Sequence, residues 1–236
     1  MKRIKTRLDV VKNEADSDVV DMYLYGRIGD PIFDDEETIT VKDVRKKLNE
    51  IAANKIRVHL NSNGGCLFSS IAIHNLFKSH HANIEMIIDS VAASGGSIIA
   101  MAGSKIKMYS NAMLFIHPAH TLTYSDAKGH RKVAQDLDKM DKSLKENYSK
   151  RFTGTDKELE NLIQEQTWLT AEESKEFGFC DEIIESDEEM DNNVGNSLFN
   201  KSINNRRESK VVDELMKKYG NRVNKQVNNN LFDNFK

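Results

Sequence analysis

Three short runs in this chain carry residue types that do chemistry together. Ser94 sits in Ser90-Val-Ala-Ala-Ser-Gly-Gly-Ser97, His117 sits in Leu114-Phe-Ile-His-Pro118, and Asn61-Ser-Asn-Gly-Gly65 lies upstream of both. A serine hydroxyl becomes a useful nucleophile only when a neighbouring base removes its proton during attack. An imidazole can take that proton, and uncovered backbone N–H groups can hold the oxyanion that forms. Amide hydrolysis by a serine needs these three provisions.

Each run has a local reason to sit where it does. Ala92, Ala93, Gly95 and Gly96 surround Ser94 with small groups, so a substrate backbone can approach closely. With Ala92 at position −2, this is not the G-x-S-x-G elbow of α/β-hydrolases. A small-residue serine can also serve only to pack a helix against a sheet. His117 ends an apolar strand, and Pro118, one of two prolines, stops that strand and fixes the backbone beyond the ring. His120 is near enough to compete as base, whereas His80 and His81 read as the polar end of a helix. His117 and His120 lack a third ligand at metal-like spacing, so no metal site is expected. The paired glycines at 64 and 65 suit an oxyanion hole or a phosphate. However, the run lacks both the Walker lysine and the G-x-G-x-x-G spacing of nucleotide sites.

The elements that must present these residues follow from hydrophobic periodicity. Strands are expected at 19–25, 56–60, 84–88, 105–109 and 112–116, with helices at 38–53, 67–77 and 95–102. The last helix is small or apolar on every side and therefore buried. Repeated strand–helix units that deliver strand ends to one edge predict a parallel α/β fold with its ligand site beyond the carboxyl ends. Residues 127–152 then place Val133, Leu137, Met140, Leu144, Tyr148 and Phe152 on one stripe of a long amphipathic helix. Packing on its own domain and contact with another subunit both suit that stripe. A helix at 156–164 and a second at 171–177, capped by Thr170 and ended by Gly178, precede a closing segment at 181–185.

Residues 1–18 read as a charged arm, ordered only by a partner, and residues 186–236 as a polar tail, disordered or weakly helical. The domain between them spans 19–185. At 236 residues, with 39% hydrophobic content, the chain can bury a substantial core. Its formal net charge of −3 offers no electrostatic surface for nucleic acid. No apolar run reaches the ~18 residues of a membrane span, and the basic first residues lack the apolar core of a signal peptide. Cys66 and Cys180 have no disulfide or CxxC spacing and read as reduced thiols. A cytoplasmic location is expected.

Taken in order, Asn61-Ser-Asn-Gly-Gly65, Ala92-Ala-Ser94, Ala100-Met-Ala-Gly103, Ile116-His-Pro118, Trp168-Leu-Thr-Ala-Glu-Glu173 and Gly178-Phe-Cys-Asp-Glu-Ile183 resemble the proteolytic subunit of the Clp protease. Within that family they are most similar to phage- and prophage-type members that process capsid proteins. The likeness covers roughly 24–184. It implies a ClpP/crotonase-like spiral of β–β–α units with a projecting helical handle, into which 127–152 falls. It also implies a cofactor-free serine endopeptidase acting on unfolded or extended polypeptide, with Ser94 as nucleophile and His117 as base. Gly65 and Gly95 would supply the oxyanion hole, and Gly64, Gly65 and Cys66 a loop that pairs with substrate as an added strand.

Implied partners are copies of the chain in ring homo-oligomers, stacked heptamers among them, with a Clp-type ATPase unfoldase or phage capsid and scaffold proteins. Asn63 stands where the family usually has proline, Ser90 where it has glycine, and Gly95 where it has methionine or another small residue. The third triad position falls on Gln166, where the family has aspartate, and Glu165 is its ionisable neighbour. Three other readings remain at this point. One is a catalytically impaired scaffold subunit, one a crotonase-like acyl-CoA enzyme using the glycine N–H groups. The last is a serine–lysine peptidase with Lys105, although that residue opens a strand of alternating polarity.

Overall fold

Alternation along the central strands dictates a sheet with one apolar face. In the computed structural model, which describes residues 4–185, β1 (Arg7–Lys12), β2 (Val19–Ile28), β3 (Lys55–Gly65) and β4 (Asn83–Ala93) lie side by side in that order. Met22, Leu24, Ile56, Val58, Leu60, Met86 and Ile88 are fully buried at alternate positions and face the helices. β5 (Lys105–Tyr109) and β8 (Glu182–Ile184) continue the sheet beyond β4. All these neighbours are parallel except β1 with β2.

The opposite face is polar and tightly paired. Arg57 donates twice to Asp21, at 2.6 and 2.7 Å, and His59 Nδ1 lies 3.0 Å from Asp89. The Tyr25 hydroxyl donates to Asp89 at 2.5 Å, while Tyr23 stacks on the His59 ring at 4.8 Å. Burial pulls the His59 pKa down, but its bonds to Asp21 and Asp89 outweigh that and raise it to about 9.

Topology at β4 is what creates the site. Its first half, Glu85–Ile88, pairs with β5, and its last residues, Val91–Ala93, pair with β6 (Met113–Ile116). Both pairings are parallel, so β5 and β6 follow β4 in succession, stepping at Ser110-Asn111. Ala93 stands opposite Phe115, and the next residues of the two strands emerge side by side. β7 (Thr167–Leu169) closes this corner antiparallel to β6, with Thr167 opposite Ile116.

The helices cap and flank these strands. α1 (Val41–Asn49) is capped by Thr40, whose hydroxyl accepts the Asp43 N–H. α2 (Leu67–Ser79) follows β3 directly. All six residues of α3 (Gly95–Ala100) are buried, as its composition requires. α4 (Ala127–Ser149) is the long helix, capped by Asp126. α5 (Asp156–Gln164) and α6 (Ala171–Glu176) both start with capping boxes, at Thr155 and Thr170. No helix among the described residues is long and apolar enough to cross a membrane.

Several expectations need correction. The arm at 1–18 contains β1, whose Leu8 and Val10 alternate toward the core, so the ordered domain begins before Val19. The helix expected from residue 38 starts at Val41, because Ile39 is held extended in a bridge to Ile28. Asn61–Gly65 and Asp89–Ala93 are strand continuations rather than loops, since each finds a ladder partner across a register shift. The long helix stops at Ser149. Of its stripe only Leu144 and Tyr148 are buried within α4, while Val133, Leu137 and Met140 stay half-exposed. The tail read from Ser186 lies outside the described residues.

Candidate active site

Ser94 joins β4 to α3 with φ 54° and ψ −121°, a backbone conformation that side chains rarely adopt. Such a residue costs on the order of 1–3 kcal/mol and persists only when its surroundings hold it. Here they do. Its N–H donates to the Phe115 carbonyl at 2.9 Å, which ties the turn to β6. Its carbonyl accepts from the Ser97 hydroxyl at 2.6 Å and from the Ser97 N–H at 3.0 Å. The Ser97 proton is thereby committed, so the fully buried Tyr148 hydroxyl of α4 donates to Ser97 Oγ at 2.7 Å.

The glycine run rests directly on this turn. Gly64 has φ +85°, and a β-carbon there would lie 2.6 Å from the Gly95 nitrogen and 2.8 Å from Ser94 Cβ. A β-carbon on Gly95 would come within 2.1 Å of Ser70 Oγ and 3.4 Å of the Gly65 nitrogen. Glycine at 64 is therefore a steric requirement, a side chain at 95 would have to displace the Ser70 hydroxyl, and the amides of 65 and 95 sit together beside the serine. Ser62 secures the run from below, donating to the Gly26 carbonyl at 2.6 Å and accepting the Gly64 N–H at 3.0 Å.

His117 lies two residues beyond Phe115 and lines the same cavity as Ser94, Gly65, Gly95 and Cys66, a space of about 610 Å³. Leu67, Phe68, Ile98, Val133, Leu137 and Met140 give that cavity an apolar wall. His117 Nδ1 is 2.5 Å from the Pro118 carbonyl oxygen. A carbonyl only accepts, so Nδ1 carries the proton and Nε2 keeps its lone pair. No hydrogen bond among the described residues joins Ser94 Oγ to the ring. Burial lowers the His117 pKa, the Pro118 carbonyl raises it, His120 lowers it and Asp141 raises it. The net direction is downward.

Gln166 and Glu165 are both exposed. Gln166 is one rung beyond the Thr167–Ile116 pair, level with His117, yet its φ of 55° turns the chain there and no hydrogen bond links it to the imidazole. Glu165 caps the end of α5. The position that sequence alignment assigns to the orienting group is thus occupied at backbone level only, and the Pro118 carbonyl holds Nδ1 instead.

Cys66 caps α2 at the cavity edge. Burial raises its thiol pKa, but bonds from Ser69 and Phe68 outweigh that and lower it. Cys180 is buried outside the cavity lining. Lys105 pairs with Glu182 across the sheet edge, outside the cavity lining. His117 and His120 have ring centroids 4.8 Å apart, and among the described residues no three metal-ligating side chains converge.

Asp141, Ser97 and Tyr148 went unnoticed as site residues in the sequence. Asp141 Oδ1 accepts the Ala119 N–H at 2.7 Å, which ties the segment after His117 to α4. The signal was present: Asp141 and Tyr148 lie two helical turns apart, on the side of α4 that carries Leu137, Leu144 and the rest of the apolar stripe.

The comparisons with known proteins agree with this architecture. A ClpP1 point mutant from Listeria monocytogenes superimposes with a TM-score of 0.60 at 21% identity, covering 71% of this chain and 92% of that one. At that identity the likeness establishes the fold. The family model described as Clp protease matches residues 28–187, from the last residue of β2 past β8. This chain belongs to the Clp protease family.

Proposed function

We propose that the protein is a serine endopeptidase that hydrolyses extended polypeptide in the cavity between α2, α3 and α4. One observation carries the reading: a serine held in a strained strand-to-helix turn shares a cavity with a histidine whose Nε2 is free to accept a proton. Ser94 Oγ attacks the scissile carbonyl carbon while Nε2 of His117 takes the hydroxyl proton. The resulting oxyanion accepts the N–H groups of Gly65 and Gly95, each donor of this kind contributing roughly 2.7–4 kcal/mol in other hydrolases. The imidazolium then protonates the leaving amine, and an acyl-enzyme remains. Water, deprotonated by the same nitrogen, releases the acid and restores Ser94.

The substrate enters as an extended strand beside Gly64, Gly65 and Cys66, where main-chain pairing gives binding without demanding one side-chain sequence. Assembly of copies into a ring would enclose the cavities, restrict access to unfolded chains and create the need for an ATPase unfoldase. Segments of phage capsid or scaffold proteins are the substrates the phage-type likeness suggests. A fluorophosphonate probe tests the assignment: labelling is expected in the native protein and absent in Ser94→Ala. Equal labelling of both would remove Ser94 as nucleophile.

A second reading, an inactive structural subunit, is favoured by the missing hydrogen bond between Ser94 and His117 and by glutamine at 166. Ring assembly with no labelling at all would select it.

A further inference from the structure

A serine–histidine pair needs more than a correct tautomer. When Nε2 takes the serine proton, the ring becomes a cation in a half-buried cavity, and only a nearby negative charge offsets it. The Pro118 carbonyl fixes Nδ1 but is neutral, and Gln166 carries no charge. Glu165 is exposed at the end of α5. On the His117 side, one carboxylate is tied into the catalytic segment itself. Asp141 projects from α4, half-buried, and receives the Ala119 N–H at 2.7 Å, two residues after the base.

We propose that Asp141, from the long helix, is the positioning residue that stabilises the His117 imidazolium, in place of a third triad member on the strand after α5. Its carboxylate does two things at once. Through Ala119 it holds the Pro118 carbonyl against Nδ1, and through space its charge favours the protonated ring. The proton balance is simple: the serine proton moves to Nε2, the Nδ1 proton stays on the ring and is donated to the Pro118 carbonyl, and Asp141 takes up none. The charged or titratable groups around His117 are His120, from its own segment, Cys66, at the start of α2, and Asp136 and Asp141, from the helix packed across it. Asp136 is paired with Lys132 and Lys139, while His120 and Asp141 pull the ring's affinity for protons in opposite directions.

This inference rests on the peptidase reading, but its test separates the two. Asp141→Asn keeps an oxygen that can accept the Ala119 N–H and removes the charge, whereas Asp141→Ala removes both. In the full chain, the His117 ring signal would be titrated by NMR and assigned by its loss in His117→Gln. Peptide cleavage would be followed against pH in parallel. With Asp141→Asn, the His117 midpoint is expected to move to lower pH, and kcat to fall at least tenfold with KM changed less than threefold. Asp141→Ala should add a KM increase as the segment loosens. An unchanged His117 midpoint and unchanged kcat in Asp141→Asn would overturn the proposal and leave Asp141 as a loop anchor. If the native protein cleaves nothing while the midpoint still moves, the peptidase reading fails and the Asp141–His117 coupling stands.

Discussion

The two halves of the proposed dyad are held by opposite means. Ser94 stands on α3, whose six residues are all buried, and its turn is gripped by β6, Ser97 and the glycine run. His117 opens a segment that becomes fully exposed at Leu122 and Tyr124 before α4 begins. Its ring is steadied by the next carbonyl and, through Ala119, by one side chain of α4. Close packing thus fixes the nucleophile, because an interior filled at crystal-like density leaves its backbone no alternative. The base depends on a few polar contacts, each worth little on its own, and can be moved without disturbing the core. Stability and activity should therefore be inseparable on one side of the cavity and separable on the other.

Breaking the nucleophile side gives the largest expected effect. Gly95→Val forces a side chain into Ser70 Oγ, and overpacking of this kind costs about 1–3 kcal/mol. Chemical denaturation should show that loss together with loss of probe labelling at Ser94. A variant that kept native stability and full labelling would contradict the packing account.

The pH profile probes the base side. The proposed cleavage step needs neutral His117, and burial holds its pKa below the ordinary ~6.5. The acid limb should lie at lower pH than an ordinary imidazole would give, with activity falling about tenfold per unit once the ring protonates. A midpoint above 6.5 in kcat/KM would contradict the direction of the shift. His59 offers an internal contrast, since its folded pKa is raised to about 9. The stability it contributes is complete below its unfolded pKa of ~6.5 and is lost as pH rises through about 9. Activity and stability should therefore fade at opposite ends of the pH range.

A smaller effect is expected where α4 touches the nucleophile. Tyr148→Phe removes the donor to Ser97 and should cost on the order of 1–2 kcal/mol, with kcat lowered and KM nearly unchanged. An unaltered kcat would mean that Ser97 alone positions the Ser94 carbonyl. The smallest effect belongs to the exposed loop. Leu122→Ser with Tyr124→Ser should change stability by less than about 0.5 kcal/mol, measured on the dissociated chain. A larger loss would place those side chains in the core despite their exposure.

The sequence alone determined the strands at 105–109 and 156–164's helix, the capping at Thr170 and the turn at Gly178, because these signals are local and no distant contact opposed them. It also singled out Ser94, His117 and Gly65, since small residues flanking a hydroxyl, proline after a strand and paired glycines each state a local constraint. What it could not state was pairing. The forked use of β4 by β5 and β6, the extension of β3 and β4 through apparent loops, and the recruitment of β1 into the sheet all depend on partners distant along the chain. Nor could alignment of a motif reveal that Gln166 stays exposed while the Pro118 carbonyl and Asp141 of α4 hold the histidine segment. A side chain's partner is decided by which elements pack against it, and only the folded chain brings position 141 to position 119.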